Sequence, residues 1–260
     1  MKLKMNLRVE INGSGPDLLL LHGWGMHAGV WGGVRDELAQ HFRVHAVDLP
    51  GYGTSPTCVP YTLEALAEQV AKVAPERAHV CGWSLGSLVA QRWAVDRPQQ
   101  IERLALVSAT PCFINQPGWN KGIGLELLSE FAQGLAQDYR GTLLRFLSLQ
   151  ARSGDDARAV IKNLRETLFT RGEPTQDTLK AGLDILLHSD LRRDAAKIGM
   201  PTLLLSGEHD TLTPATASRW LAETLPNAQL REIAGCAHAP FLSHPKLFVQ
   251  ALTEFFHARN

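Results

Sequence analysis

The 260-residue chain balances 26 Lys and Arg against 26 Asp and Glu, and it is 45% hydrophobic and 20% charged. Zero net charge excludes a global field that recruits nucleic acid or anionic membrane, while leaving room for a local basic patch. The length suits one α/β domain with an insertion. No apolar run is long enough to span a bilayer. Residues 1–6 lead into a strand without the apolar stretch of a signal peptide, so the expectation is a soluble, cytoplasmic chain, by default a monomer. Cys58, Cys81, Cys112 and Cys236 show no C-x-x-C pairing and are expected to be reduced thiols.

Residues 7–12 alternate apolar and polar side chains and predict a first strand at a sheet edge. Residues 18–21 are continuously apolar, as in a strand covered on both faces. His22-Gly23-Trp24-Gly25 follows at the C-terminal end, where open α/β sheets carry their sites. The two glycines let the backbone turn its N–H groups toward a pocket. The Trp24 amide is then an oxyanion donor, its indole a pocket wall, and His22 a brace for the loop; the alternative is a plain loop with a core-packed indole. Residues 30–40 have helical spacing. Residues 44–47 form a strand that ends in the rigid turn Asp48-Leu49-Pro50-Gly51-Tyr52-Gly53, with Asp48 as a structural carboxylate. Residues 63–73 predict a helix capped by Thr62.

Ala78-His79-Val80-Cys81 is short and β-prone. It runs into Gly82-Trp83-Ser84-Leu85-Gly86, and residues 87–94 then take helical spacing. This is a G-x-S-x-G pentapeptide in a strand–turn–helix setting. The glycines allow strand and helix to approach closely, and the turn forces Ser84 into a strained conformation. One element thereby supplies a nucleophile and, at the Leu85 amide, a second oxyanion donor.

A strand over 101–107 follows, and then the βα rhythm stops. Four helical stretches, 124–135, 139–151, 157–168 and 175–187, are punctuated only by turn residues. The predicted architecture is an α/β fold, a mostly parallel twisted sheet with helices on both faces. Residues 1–111 and 199–260 form the core, and 112–198 an all-helical cap over the catalytic edge. The βα pattern resumes with a strand over 202–206, a helix over 215–225, a last strand over 229–233 and a terminal helix over 245–257.

A serine hydroxyl is a poor nucleophile at neutral pH and needs a base, which needs an orienting acid. On this sheet the partners follow in the order Ser, acid, His, each on a loop after a strand. Asp210 and His238 meet both demands. His244 is the rival base but opens the final helix, and Glu208 lies too close to its strand. The histidines form no H-E-x-x-H or comparable ligand cluster, so neither metal nor cofactor is expected.

These segments resemble the α/β-hydrolase superfamily over nearly the whole chain. His22-Gly23 and Gly82-Trp83-Ser84-Leu85-Gly86 are superfamily-wide, and a narrower likeness rests on Trp83, on Phe146-Leu147-Ser148-Leu149-Gln150 and on the stretch from Ala237 to Pro245. It is to a family of esterases that cleave the methyl ester of pimeloyl bound to acyl-carrier protein during biotin synthesis. That resemblance implies an acyl pocket lined by Trp24, Ser84, Leu85, Phe146, Leu147, Ser148, Leu149 and Gln150. It also implies an acidic carrier protein as partner. The sequence supplies a suitable surface in Arg145, Arg152, Arg158, Lys162 and Arg165, set against Asp155 and Asp156. The alternative for these charges is a solvated helix with i,i+4 pairs. A general short-chain carboxylesterase or a C–C bond hydrolase would use the same triad beneath a different cap.

Overall fold

The computed structural model describes residues 6–150 and 156–258, the Gln150 side chain excepted. Among the described residues seven strands form one sheet: β1 (Val9–Asn12), β2 (Asp17–Leu21), β3 (Arg43–Val47), β4 (Ala78–Trp83), β5 (Ile101–Val107), β6 (Thr202–Gly207) and β7 (Ala228–Ile233). Their order is β1-β3-β2-β4-β5-β6-β7. All neighbours run parallel except β1, which pairs antiparallel with β3. Every residue of β4 and β6 is buried, as expected of central strands covered on both faces. The edge strands β1 and β7 are only partly covered.

Helices cover both faces. On one, α1 (Gly32–Leu38) packs against α10 (Pro245–His257). On the other lie α2 (Leu63–Val73), α3 (Leu85–Asp96) and α8 (Ala215–Thr224). Thr62 caps α2 by accepting from the Ala65 amide at 3.2 Å. The helix expected over 30–40 is instead a 3-10 turn, Ala28–Trp31, followed by the short α1. The paired glycines Gly32 and Gly33 weaken helix propensity there. The His27 imidazole, accepting from the Gly29 amide at 3.0 Å, and the Asp48 carboxylate, accepting from the Ala28 amide at 2.8 Å, fix the tighter turn.

Between β5 and β6 the chain forms α4 (Leu125–Gln137), α5 (Tyr139–Gln150), α6 (Ala157–Leu168) and α7 (Gln176–His188). The two ends of this excursion meet, the Leu191 amide donating to the Pro111 carbonyl at 2.8 Å. The helices rest on loops at the C-terminal edge of the sheet. Trp24 Nε1, after β2, donates to the Leu179 carbonyl of α7 at 2.9 Å. His27 Nε2 donates to the Thr167 carbonyl of α6 at 2.9 Å, and Arg171 pairs with Glu10 of β1 at 2.6 Å. Helix α6 also packs on α9, a single turn over Pro240–Ser243. Among the described residues no helix is long and apolar enough to cross a membrane.

Candidate active site

Ser84 stands between β4 and α3 with φ 56° and ψ −118°. A non-glycine residue in that region persists only where its surroundings over-determine it. The Ser84 amide continues the ladder by donating to the Val107 carbonyl at 3.1 Å. Its carbonyl accepts from the Ser87 hydroxyl at 2.6 Å. The flanking glycines are required by space: a Cβ on Gly82 would overlap the Gly86 carbonyl, and one on Gly86 would overlap the Leu21 carbonyl.

Leu85 opens α3, so its N–H has no intrahelical acceptor and lies at the positive end of the helix. The Trp24 loop runs against Ser84; a Cβ on Gly23 would sit 3.1 Å from Ser84 Cβ. His22 holds that loop. Its Nε2 accepts from the Leu49 amide at 3.0 Å, so its Nδ1 carries the proton and donates to the Gly23 carbonyl at 2.8 Å. Complete burial lowers the His22 pKa to about 4, which keeps this brace neutral.

Asp210 and His238 lie on the loops after β6 and β7 and are both buried. His238 Nδ1 donates to Asp210 Oδ2 at 2.8 Å. The remaining lone pairs of the carboxylate are filled: Oδ1 accepts from the Leu212 and Thr213 amides at 2.9 Å each, and Oδ2 from the Thr213 hydroxyl at 2.7 Å. Burial alone would raise the Asp210 pKa, but the adjoining imidazole and these donors outweigh it and hold the carboxyl below its ordinary value. With Nδ1 committed to Asp210, the His238 Nε2 keeps its lone pair; it is buried without a hydrogen-bond partner among the described residues. The elbow lies alongside, with the Trp83 and His238 ring centroids 5.6 Å apart. The rivals sit elsewhere. His244 precedes α10 and bonds Ser243 at 2.8 Å, and Glu208 accepts from the Gly235 amide at 3.1 Å.

Residues 146–149 lie on one helix and divide among its faces. The Phe146 ring meets the Trp24 indole edge to face at 4.7 Å and Phe131 at 5.3 Å. Leu147 is buried in the core. Ser148 and Leu149 line a cavity of about 400 Å³ together with Phe131, Leu144, Arg145 and Arg165. The Ser148 hydroxyl itself donates back to the Leu144 carbonyl at 2.8 Å. Of the basic residues, Arg145, Arg158, Lys162 and Arg165 are exposed, and Arg152 lies outside the described residues. Arg158, Lys162 and Arg165 share one face of α6 by their spacing. Lys162 pairs with Glu166 at 3.8 Å, so part of that charge is compensated.

Three contributors were not legible in the motifs. Thr213 completes the Asp210 shell, the Trp83 indole donates to the His238 carbonyl at 2.8 Å, and the Ser108 hydroxyl donates to the same carbonyl at 2.8 Å. Only Thr213 left a local signal, standing three residues beyond the acid in the same loop.

A sheet of this order, a strained serine at the β4–α3 elbow and a buried Asp–His pair at the ends of β6 and β7 define an α/β hydrolase. The alpha/beta hydrolase family model matches residues 18–251, and the chain belongs to that family. Its relatives include the pimeloyl-[acyl-carrier protein] methyl ester esterase of Nitrosomonas europaea, 45% identical over 244 residues, covering 94% of this chain and 97% of the relative. The protein of the same name from Chromobacterium violaceum is 45% identical over 250 residues, covering 96% and 98%. Among solved structures, a hydrolase from Pseudomonas aeruginosa PA01 superimposes with a TM-score of 0.81 at 28% identity, covering 97% of this chain and 94% of that one. An esterase from Exiguobacterium antarcticum shares the fold at a TM-score of 0.85 and 21% identity, covering 97% and 96%.

Proposed function

We propose that this chain is a serine carboxylesterase that hydrolyses the methyl ester of pimeloyl-acyl-carrier protein to pimeloyl-acyl-carrier protein and methanol, a step of biotin synthesis. The chemistry rests on one observation above the others: the His238 imidazole is fixed on Asp210 at 2.8 Å with Nε2 left as a base beside the Ser84 elbow. The choice of substrate rests on the relatives that share more than two fifths of this sequence.

In this reading His238 Nε2 takes the Ser84 hydroxyl proton as the oxygen attacks the ester carbonyl. The Trp24 and Leu85 amides hold the resulting oxyanion, each such donor being worth about 3 kcal/mol. The imidazolium, stabilised by Asp210, passes its proton to the departing methoxide and releases methanol. Water, deprotonated by the same nitrogen, then attacks the acyl-enzyme, and the proton returns to Ser84. No step needs a metal or another cofactor.

Residues 112–198 serve as a cap on a core of 1–111 and 199–260. Trp24, Leu85, Phe146, Ser148 and Leu149 receive the acyl chain. The exposed Arg145, Arg158, Lys162 and Arg165 offer an acidic carrier protein a docking face. The enzyme acts as a cytoplasmic monomer.

The test measures kcat/KM on pimeloyl-acyl-carrier-protein methyl ester beside p-nitrophenyl butyrate, with Ser84→Ala as control. A strong preference for the carrier-bound ester, abolished in the variant, is expected. Activity on the free ester alone would discard the substrate and leave a general short-chain carboxylesterase.

A further inference from the structure

Ser84 and Ser108 are the two non-glycine residues with positive φ among the described residues, at 56° and 47°. They occupy equivalent places, each at the C-terminal end of one of two adjacent central strands, β4 and β5. The strain at Ser84 is explained by the elbow. Nothing in the elbow requires it at Ser108, and a glycine would adopt that conformation without cost. Strain retained at a non-glycine residue points to what its side chain does.

The Ser108 side chain is fully buried, and its hydroxyl donates to the His238 carbonyl at 2.8 Å across 130 residues of sequence. The same carbonyl accepts from Trp83 Nε1, also at 2.8 Å, across 155 residues. A carbonyl oxygen has two lone pairs, and both are used here. Register explains the convergence: Trp83 pairs with Val107, so Trp83 and Ser108 are diagonal neighbours on β4 and at the end of β5. Ser108 is itself anchored, its amide donating to the Leu205 carbonyl of β6 at 2.8 Å. The loop that carries His238 is thus tied through its own carbonyl to the strand that leads into Ser84 and to its neighbour β5. The Asp210 bond orients the imidazole ring; this clamp fixes the backbone from which the ring projects.

We propose that Ser108 and Trp83 are positioning residues for the catalytic base, pinning the His238 carbonyl so that Nε2 meets the Ser84 hydroxyl. The proposal rests on the reading of His238 as the base. Neither residue touches substrate through this contact. Their effect falls on kcat, because misplacing a reacting group by about 1 Å can cost about 100-fold in rate.

The experiment compares Ser108→Gly, Ser108→Ala, Trp83→Phe and the double variant Ser108→Gly/Trp83→Phe. Each is assayed for kcat and KM on p-nitrophenyl butyrate, for the rate of Ser84 labelling by a fluorophosphonate, and for thermal midpoint. Ser108→Gly removes the hydroxyl and the strain together, so its midpoint should hold or rise while kcat and the labelling rate fall about tenfold and KM stays within about twofold. Ser108→Ala should lose the same activity and some stability as well. The double variant should lose more than the product of the single losses, because in each single variant the remaining donor still restrains the carbonyl in part. A Ser108→Gly protein with unchanged kcat and labelling rate would overturn the proposal, since a purely structural serine would leave both intact. His238→Gln separates the two levels. If it is inactive while Ser108→Gly is normal, only the clamp fails; if it stays active, the reading of His238 as base fails first.

Discussion

Gly182 offers a case in which two principles predict opposite outcomes. It lies inside α7, where replacing glycine by alanine ordinarily stabilises a helix by about 1 kcal/mol. At this site the added Cβ would stand 2.7 Å from Trp24 Cδ1, 2.7 Å from the Tyr52 hydroxyl and 2.9 Å from Trp24 Nε1. Both rings are fully buried, and the indole is held by its bond to the Leu179 carbonyl and by the Phe146 ring. The contact is roughly 0.7 Å tighter than ordinary packing, so the rings must shift to admit the methyl group. Overpacking of this kind costs about 1–3 kcal/mol, and a weakened indole hydrogen bond adds about 1 kcal/mol. The loss exceeds the gain in propensity, so Gly182→Ala should lower the thermal midpoint by about 4–8 °C. The displaced side chain belongs to Trp24, the residue whose amide is proposed to hold the oxyanion. Complete loss of one such donor costs about 3 kcal/mol, and a partial shift should lower kcat about tenfold. Differential scanning calorimetry and steady-state kinetics on p-nitrophenyl butyrate read the two effects separately. A variant with a higher midpoint and unchanged kcat would show that helix propensity wins, and would refute the packing argument.

Thr213→Val keeps the shape of the side chain and removes one donor from the Asp210 carboxylate; hydrogen bonds to charged groups are worth about 1.5–3 kcal/mol, so kcat should fall tenfold or more with little change in KM, and an unchanged kcat would count against the shell. His22 sets an acid limit on stability. Its folded pKa of about 4 lies below the ordinary 6.5, so between those values the unfolded chain binds the extra proton and stability rises with pH. The lowered Asp210 pKa acts in the same direction, contributing stability at neutral pH that is lost as pH falls through its folded value. Urea unfolding at pH 7 and near pH 4.5 should differ by up to about 3 kcal/mol on account of His22, and His22→Gln should shrink that difference. Asp48→Asn exchanges an acceptor for a donor between the Ala28 and Thr54 amides, which should cost about 1–3 kcal/mol in the same unfolding assay. Salt tests the basic face: raising ionic strength should depress kcat/KM for the carrier-bound ester and leave that for the free ester level.

The chain states its local chemistry openly. The apolar run at 18–21 and the mostly apolar stretches 44–47 and 202–206 read as strands, and they are β2, β3 and β6 in the structure. The elbow at 82–86 was legible because the close approach of strand and helix admits only glycine at its flanks. Asp210 and His238 were marked by their places after strands, and α4 to α7 by helical spacing without intervening strands. Local spacing stops there, because it carries no information about what lies across the sheet. The break near Gly32 depended on the Asp48 carboxylate reaching the Ala28 amide, and the division of residues 146–149 among helix faces depended on where α5 came to rest against Trp24. The clamp on the His238 carbonyl joins residues 130 and 155 positions apart, and the seat of Gly182 joins α7 to a loop after β2. Sequence by itself determined most of the elements and marked the candidate reactive groups, since each follows from the chemistry of a few consecutive residues. Only the tertiary structure decided which buried donors hold those groups in place, since a hydrogen bond of 2.8 Å forms only once register and loop path have brought distant strands together.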